Sequence, residues 1–356
     1  MKDKLYIIGG GIAGCAFAYF LKKDFDITLY EKSPELGGLI RTRYNLENIP
    51  WQQVPSILHT DQDWIVDLIQ KFIPLKPVEY KVAMDPLFDF RYYLYPFNKS
   101  TIDTMPWHWK EAILLDLEHS NGENAETLEQ VIVNFYGQTI YDIFYKNYLE
   151  KIFHTDKINI VDWYKPWLRN VHEDFNYYIN KYVMFPIDAG WNNLFSGLTD
   201  GINIKLGCKI TELPKDGIVI FTGDVGDFFN VKKIYSYGSF DIDSTIYKEN
   251  APDTLIYPNY TPFTYMTQYG RFFIHDKYNE KFEKNIIVKT FIDDGDIPLF
   301  PIPNKTNEHI YNKVVKDNPG VIFAGRSGSW SFMDIDTIFD QAQKISATIK
   351  HLRRNK

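Results

Sequence analysis

The sequence predicts an α/β fold in which both ends of the chain share one sheet, while the middle supplies a helical insertion and a second sheet. Three observations support this prediction. A short apolar segment leads into a glycine-rich turn, Gly9–Gly14, and then into an apolar helical segment. A strand–turn–helix pattern returns from Gly320 onwards. Between them, residues 100–165 show apolar residues at helical spacing, and residues 235–310 contain strand-like runs such as Ile286–Ile292.

Composition limits the functional class. The 356 residues include 39 basic and 46 acidic side chains, which gives a net charge of −7, and 45% are hydrophobic. This is a globular composition, and the length suggests about two domains or one large fold with insertions. The acidic balance argues against nucleic-acid binding. Two cysteines, Cys15 and Cys208, cannot form a disulfide framework, and no histidine pair has metal-ligand spacing, so no metal site is predicted.

The uncharged run Leu5–Leu21 has to be distinguished from a targeting segment. It contains four glycines, begins like a β-strand and is followed directly by Lys22, Lys23 and Asp24 without a cleavage site. It is also short for a membrane-spanning helix, which needs about 20 apolar residues. We therefore expect a cytoplasmic protein that does not associate with membranes.

The first segment has the pattern of a dinucleotide-binding turn. Lys4–Ile8 reads as a strand, and the glycines that follow match G-x-G-x-x-G. In such a turn Gly9 allows the sharp bend, Gly11 lets a diphosphate approach the backbone, and Gly14 lets the helix pack closely on the sheet. The helix N-terminus offers free N–H groups to the phosphates. The sequence thus predicts a Rossmann-like unit.

The end of the second strand narrows the choice of cofactor. The strand Ile27–Tyr30 ends at Glu31, where a carboxylate can accept the ribose hydroxyls. An acid here disfavours NADP, because it would repel the 2′-phosphate. Gly37 and Gly38 follow, and this spacing resembles that of flavoproteins with two dinucleotide-binding motifs. The sequence therefore predicts FAD rather than NAD.

The C-terminal segment is expected to complete the same site. Residues 320–326 read as an apolar strand that ends in a glycine and Arg326. Asp334 or Asp336 then suits the N-cap of an amphipathic helix that runs to about Ile349. The dipole of this helix can stabilise negative charge on a reduced flavin ring. Both chain ends would then build one FAD-binding domain.

Together these units resemble those of the UDP-galactopyranose mutases, FAD enzymes that interconvert the pyranose and furanose forms of nucleotide sugars. The resemblance spans nearly the whole chain. The matching segments are Gly9–Gly14 with Glu31 and Gly37–Gly38, Ile57–Thr60, Tyr95–Asn98, Asn147–Lys151, Tyr182–Pro186 with Gly190, Phe221–Gly223 with Asp227 and Phe229, and Phe323–Asp334.

The resemblance implies three structural units and a homodimer formed through the helical unit. The predicted FAD-binding domain comprises residues 1–97, 200–234 and 311–356. The predicted helical insertion domain comprises residues 98–165. The predicted mixed or antiparallel sheet domain, which would carry the substrate, comprises residues 166–199 and 235–310.

The resemblance also implies the chemistry. The flavin is active in its reduced form, its N5 atom is the nucleophile, and the reaction is redox-neutral. Asp334, Lys289 and Arg169 would support that atom. The residues expected to bind the cofactor are Gly9, Gly11, Ala13, Gly14, Glu31, Lys32, Gly38, Leu39, Ser56, Ile57, Arg326, Ile335 and Asp336. The residues expected to bind a nucleotide sugar, most simply a UDP-linked one, are Phe97, Asn98, Phe153, Asn170, Tyr182, Lys289, Phe300 and Phe332.

The substrate side departs from the family pattern. Of the two family arginines on the substrate diphosphate, the first position holds Asn170, one residue after Arg169, and the second holds Lys289. Lysine keeps the charge but loses the bidentate fork of arginine. Phe300 and Phe332 stand in place of tyrosines.

Three further positions also differ. Ser56 replaces a histidine beside the flavin, Phe153 replaces a tryptophan, and the family acid after the Thr-Gly pair falls on Gly226. These changes favour a mutase with an altered substrate. Two alternatives remain: an FAD-dependent oxidoreductase of the amine-oxidase type on the same scaffold, and a non-enzymatic FAD-binding protein.

Overall fold

The two ends of the chain meet in one parallel sheet of five strands. The computed structural model describes residues 2–89, 91–119, 125–154, 176–187, 190–246, 251–269, 272 and 284–354. The strand order is β10-β2-β1-β11-β17, and every neighbouring pair is parallel. The strands are β1 (Asp3–Ile8), β2 (Phe25–Tyr30), β10 (Asn203–Lys205), β11 (Ile218–Phe221) and β17 (Val321–Phe323). The predicted α/β fold with a Rossmann-like unit is confirmed.

Helices from both ends of the chain cover this sheet. Helix α1 (Ile12–Leu21) packs against α12 (Ile335–Arg354) and α8 (Asn192–Thr199). Almost every residue of α1 is buried, because the helix lies between the sheet and its two neighbours. This packing explains why the first helix reads as apolar on all faces, as expected for a helix inside a core.

A second sheet of seven strands forms the opposite wall of the molecule. Its order is β16-β12-β15-β14-β13-β7-β8, and all pairs are antiparallel except β7 with β13. The strands are β7 (Val82–Met84), β8 (Tyr93–Tyr95), β12 (Tyr235–Ile246), β13 (Thr254–Ile256), β14 (Phe263–Gln268), β15 (Lys284–Ile292) and β16 (Ile297–Pro301). Because β7 and β8 belong to this sheet, the boundary predicted at residue 97 does not separate the two sheets.

Two small sheets connect the larger ones. One pairs β3 (Arg43–Tyr44) with β4 (Pro50–Trp51). The other has the order β5-β9-β6, with β5 (Leu58–Thr60), β6 (Leu75–Pro77) and β9 (Tyr182–Pro186). The second therefore joins residues predicted for different domains, because β9 lies beside two strands of the first 97 residues.

Helices fill the middle of the chain, as the apolar spacing predicts. Thr127 and Gln130 form a capping box at the start of the helix Leu128–Tyr136, which has the predicted bounds. Between α1 and β9, the described residues form the helices α2 (Asp63–Gln70), α3 (Lys99–Asp103), α4 (Trp107–His119), α5 (Leu128–Tyr136), α6 (Gln138–Ile140) and α7 (Lys146–Phe153), with a π-helical turn at Tyr141–Tyr145. Elsewhere the described part of the chain contains the helices α9 (Val225–Phe228), α10 (Lys305–Asp317) and α11 (Gly325–Gly328), with 3₁₀ turns at Gly38–Ile40 and Lys232–Ile234.

Aromatic residues dominate the core beneath the second sheet. The rings of Phe97, Tyr136, Phe144 and Tyr145 are buried and pack against one another. They account for part of the aromatic content of 17%. No helix in the described part of the chain combines the length and the apolar character needed to cross a membrane.

Candidate functional site

One large cavity lies at the carboxyl ends of the parallel strands, between the two sheets. Its volume is about 560 Å³, within the usual range of ligand pockets. Gly9 follows β1, Glu31 follows β2, Thr222 follows β11 and Arg326 follows β17, and all four line it. Ligands of open α/β sheets bind at this edge.

The glycine-rich turn shapes the first wall. Gly9 has φ +107°, and its N–H donates to the carbonyl of Tyr30 at 2.8 Å. A Cβ on Gly14 would lie 1.9 Å from the carbonyl oxygen of Gly9, so the helix can pack this closely only with glycine there. A Cβ on Gly11, in contrast, would meet no atom within 4 Å and would project into open space at the cavity. That space is where the backbone can meet a diphosphate.

A second glycine loop runs against the first. The N–H of Gly37 donates to the carbonyl of Gly10 at 2.8 Å, and a Cβ on Gly37 would lie 2.4 Å from the ring of Phe195. A Cβ on Gly38 would come within 3.3 Å of the Cα of Gly11. The two loops therefore form a bare backbone cradle of the shape that a dinucleotide requires, and FAD fits it.

Glu31 lies at one end of this cradle. Its Oε2 accepts the N–H of Gly10 at 2.6 Å, and its Oε1 accepts the N–H of Ser33 at 2.7 Å. These bonds fix the orientation of the buried carboxylate. Each oxygen keeps a second lone pair, which can accept a ribose hydroxyl.

The opposite end of the cavity contains a cluster of charged groups around Asp334. One carboxylate oxygen of Asp334 lies 3.5 Å from Nε2 of His59, and the other lies 3.8 Å from Nη2 of Arg326. Burial opposes ionisation of Asp334, but His59 and Arg326 outweigh it and lower the pKa of this carboxyl. Burial likewise opposes protonation of His59, but Asp334 outweighs it and raises the pKa of the imidazole. Both shifts favour the ionic form of the pair.

Arg326 also folds the segment that leads to the last helix. Its Nε and Nη2 donate to the carbonyl of Met333 at 3.0 and 2.7 Å. Its guanidinium stacks on the ring of Phe332 at 4.2 Å. Residues 326–334 therefore form a closed loop, and its two ends line the cavity through Arg326, Ser327, Phe332, Met333 and Asp334.

The structure brings most of the predicted site residues to this cavity. The cofactor candidates that line it are Gly9, Gly11, Ala13, Glu31, Lys32, Gly38, Leu39, Ser56, Ile57, Arg326 and Ile335. Asp334 and the substrate candidates Phe153, Phe300 and Phe332 line it as well. Gly14 lies beneath the turn, and Asp336 lies in the first turn of α12, off the cavity wall. Arg169 and Asn170 lie outside the described residues.

Four substrate candidates lie elsewhere. Lys289 is on β15, where Ile286, Val288 and Thr290 are buried, so the strand alternation turns Lys289 to the other face. There its ammonium pairs with Asp243. The lysine therefore does not stand at the cavity in the place of the second family arginine.

The other three have structural partners. Phe97 is fully buried in the aromatic core. The side chain of Asn98 accepts the N–H of Thr101 and caps α3. The hydroxyl of Tyr182 donates to Asp63 at 2.8 Å.

Asp224, rather than Gly226 or Asp227, lines the cavity in this segment. Its carboxylate lines the cavity and accepts the hydroxyl of Tyr237 at 2.9 and 3.0 Å. Burial raises the pKa of Asp224. A Cβ on Gly226 would lie 2.4 Å from the hydroxyl oxygen of Tyr237, so an acid at 226 cannot coexist with this hydrogen bond. Asp227 instead pairs with Lys209 at 2.8 Å near the surface.

Sequence reasoning missed several lining residues. Besides Tyr95, which lies in a segment singled out from the sequence, five tyrosines and two arginines reach the cavity: Tyr80, Tyr148, Tyr177, Tyr178, Tyr265, Arg41 and Arg43. Tyr148 lies within the segment Asn147–Lys151, and Arg41 comes three residues after the paired glycines. These two positions in the sequence could have identified Tyr148 and Arg41 as lining residues. The remaining tyrosines reach the cavity only through long-range packing, which the local sequence does not reveal.

Comparisons with known proteins agree with this geometry. A family model described as UDP-galactopyranose mutase matches residues 143–332, and a model of an NAD(P)-binding Rossmann-like domain matches residues 7–72. A curated relative, the probable UDP-galactopyranose mutase of Klebsiella pneumoniae, is 20% identical over 373 residues, which cover 97% of this chain and 94% of the relative.

Solved structures show the same fold. A reduced UDP-galactopyranose mutase superposes with a TM-score of 0.82 at 15% identity, over 99% of this chain and 96% of that one. An oxidoreductase from Methanosarcina mazei has a TM-score of 0.61 at 11% identity, over 97% of this chain and all of the other. A redesigned putrescine oxidase has a TM-score of 0.61 at 10% identity, over 99% of both chains.

The family assignment follows from the extent of the match. The mutase model covers more than half of the chain, and it includes α7 and the strands β13, β14 and β16, which contribute residues to the cavity wall. The predicted cofactor, FAD, is confirmed with it, since this is a family of FAD-dependent isomerases. The chain belongs to the UDP-galactopyranose mutase family.

Proposed function

We propose that this chain is a mutase that interconverts the pyranose and furanose forms of a nucleotide-activated sugar, most simply a UDP-linked one. The observation that carries the proposal is the continuity of the cavity. It extends without a break from Gly11 and Glu31 to the aromatic side chains Tyr148, Phe153 and Phe300. A dinucleotide cofactor and a sugar can therefore share it, with the sugar against the second sheet and α7.

The chain's residues divide into two groups along this cavity. Gly9, Gly11 and Gly38 bare the backbone for the cofactor, and Glu31 orients its ribose. When bound and reduced, FAD supplies the nucleophile at its N5 atom. The N-terminus of α12 presents its free N–H groups and positive dipole end to the same cavity through Ile335.

Asp334 fixes the geometry at the reacting end. Its carboxylate is held between His59 and Arg326, so it presents a negative charge whose position is set by two cations. A fixed carboxylate beside the cavity can orient sugar hydroxyls and favour positive charge that develops at an anomeric carbon. Lys289 has no part in this proposal, because Asp243 holds it away from the cavity.

The substrate contacts differ from those that the family pattern implies. Phe300 and Phe332 lie with parallel rings, 6.4 Å between centroids, and neither can donate a hydrogen bond. Hydroxyl groups instead come from the lining tyrosines such as Tyr148 and Tyr178. Because the hydroxyl donors lie at positions different from those that the family pattern implies, we expect a sugar or nucleotide other than the one that the family name states.

We further propose a cytoplasmic homodimer formed through the helical insertion. Its support is the exposure of large apolar side chains on α4, where Trp107, Leu114 and Leu115 face outward.

The test is a substrate panel. The FAD-loaded, dithionite-reduced chain is incubated with UDP-, GDP- and dTDP-linked hexoses, and ring isomers are separated by chromatography. Conversion of at least one sugar, reduced in the Asp334→Asn variant and unchanged in the surface variant Lys313→Met, supports the proposal. If no sugar is converted while an amine reduces the flavin of the oxidised protein, the chain is an oxidoreductase instead.

A further inference from the structure

Two arginines that no part of the proposed function uses line the same wall of the cavity. Arg41 directly follows the 3₁₀ turn Gly38–Ile40, and Arg43 begins β3. Among the described residues that line the cavity, the basic side chains are Lys32, Arg41, Arg43 and Arg326. Three of these four cations therefore lie on the side of the glycine loops.

Arg41 is buried and only partly satisfied. Its side chain is 9% exposed. Nη1 donates to Oγ of Ser33 at 3.2 Å and to the carbonyl of Glu35 at 3.3 Å, and it lies 2.9 Å from the carboxylate of Glu35. Nε is buried without a hydrogen-bond partner in the structure. These contacts hold the guanidinium in place, but they do not use all of its N–H donors.

Arg43, two residues later, is half-buried and also only partly satisfied. Its Nη2 donates to the side-chain oxygen of Gln53 at 3.0 Å, and its guanidinium lies 5.8 Å from the ring centre of Trp51. Its Nε is also buried without a partner. Burial, followed by the charge of Arg41, lowers the pKa of Arg43. The two cations therefore disfavour each other in the absence of an anion.

The neighbouring carboxylates do not balance these charges. Glu35 pairs with Arg41, but its own side chain is 67% exposed, so water weakens the pair. Glu31 already accepts two backbone N–H groups and turns toward the ribose end. A buried guanidinium group on Arg41 and a half-buried one on Arg43 therefore lie beside the bare backbone cradle.

We propose that Arg41 and Arg43 bind a diphosphate, and that this diphosphate belongs to the cofactor. The planar fork of arginine matches phosphate oxygens in pairs. The location favours the cofactor because Arg41 continues from Gly38, and a Cβ on Gly38 would come within 3.3 Å of Gly11, the open position of the first glycine turn. The diphosphate of a nucleotide-sugar substrate has the same chemistry and is the alternative source. The inference concerns cofactor binding and holds whether or not the chain converts sugars.

The test compares the variants Arg41→Met and Arg43→Met with a control, Arg91→Met. Arg91 is exposed, pairs with Asp89 and lies away from the cavity. FAD affinity is measured by titrating the apoprotein and following flavin fluorescence, and UDP affinity is measured by titrating the FAD-loaded protein. We expect each cavity variant to weaken FAD binding by about 10-fold or more, the usual loss for a charge-assisted hydrogen bond. UDP affinity should remain unchanged in both cavity variants. The Arg91→Met protein should bind FAD and UDP as tightly as the wild type does.

Two results would overturn the inference. One is unchanged FAD affinity in both cavity variants. The other is a loss of UDP affinity alone, which would assign the pair to the substrate. Arg41→Lys keeps the charge but not the fork, so it should bind FAD with intermediate affinity, and it decides the question if the methionine variant does not fold. If no sugar is converted but the variants bind FAD more weakly, the proposed function is contradicted and this inference still holds.

Discussion

Nε2 of His59 lies 3.5 Å from a carboxylate oxygen of Asp334, although the two residues come from opposite ends of the chain. His59 is on β5, where its ring stacks on Tyr178 at 4.0 Å and its Nδ1 lies 3.3 Å from Oδ1 of Asn180. Asp334 immediately precedes α12 and accepts the N–H of Ile338 through its carbonyl at 3.0 Å. The pair therefore connects a small sheet to the helix that closes the cofactor cavity.

This pair predicts a pH dependence of stability. Asp334 raises the pKa of His59 above its usual 6.5, against the effect of burial. The stabilisation is therefore complete below pH 6.5 and is lost as the pH rises through the raised pKa of the folded protein. The difference in unfolding free energy between the wild type and His59→Gln, measured in urea, should shrink as the pH rises through that window. A constant difference, equal to that of the exposed control His309→Gln, would contradict the ionic pair.

The two glycines of the first turn should respond in opposite ways to alanine. A methyl group on Gly14 meets the carbonyl of Gly9 at 1.9 Å, so Gly14→Ala should destabilise the apoprotein by about 1–3 kcal/mol. A methyl group on Gly11 has free space and an allowed backbone angle of φ −69°, so Gly11→Ala should leave the apoprotein stable but weaken FAD binding. Denaturant unfolding and FAD titration of both variants check this. Equal effects of the two substitutions on FAD affinity and on stability would contradict the assigned roles.

Lys151 should produce a second pH effect, of opposite sign. Its ammonium on α7 donates to the carbonyls of Tyr257 and Phe263 at 2.9 and 3.1 Å, and burial lowers its pKa to about 8. Between about pH 8 and its ordinary 10.5, the unfolded chain holds a proton that the folded chain has released, so stability rises with pH in this window. Unfolding free energies of Lys151→Met should lack this rise. The exposed control on the same helix, Lys146→Met, should keep it, and a rise retained in Lys151→Met would contradict the assignment.

Restoring the two phenolic hydroxyls should move the substrate preference. Phe300 and Phe332 line the cavity at positions where the family resemblance implies tyrosines. If UDP-galactose is a poor ligand because those donors are missing, Phe300→Tyr and Phe332→Tyr should each tighten its binding about 5-fold, the value of one ordinary hydrogen bond. Titration of the FAD-loaded protein measures this. Weaker binding in both variants would show that the phenylalanines do not replace hydrogen-bond donors.

The sequence predicts the cofactor half of the fold well because that half is local. The strand, glycine turn, helix and terminal Glu31 lie within one continuous segment, and the local backbone conformation explains the residue types found there. The return of the C-terminal strand is predictable as well, and β17 does pair with β11 beside β1. Residue types that the backbone conformation requires can therefore be recognised in the sequence.

The substrate half is less predictable because its contacts are distant in sequence or depend on strand phase. Lys289 illustrates the dependence on strand phase. Buried residues alternate along β15 and place Lys289 beside Asp243, so only the position of each residue along that strand could have revealed this pairing. His59 illustrates contacts that are distant in sequence, since its partner Asp334 becomes a neighbour only after the sheets assemble. Asn98 shows that a polar residue in a matching segment can serve a helix cap instead.

The most direct test of the account is the redox dependence of sugar conversion. One preparation of the FAD-loaded chain is assayed with UDP-galactofuranose, and with any better substrate from the panel, before and after reduction with dithionite. We expect ring-isomer conversion only by the reduced protein, with the flavin still reduced when the sugar reaches equilibrium. Conversion that is equally fast with oxidised flavin, or oxidation of the flavin in step with sugar consumption under anaerobic conditions, would contradict it.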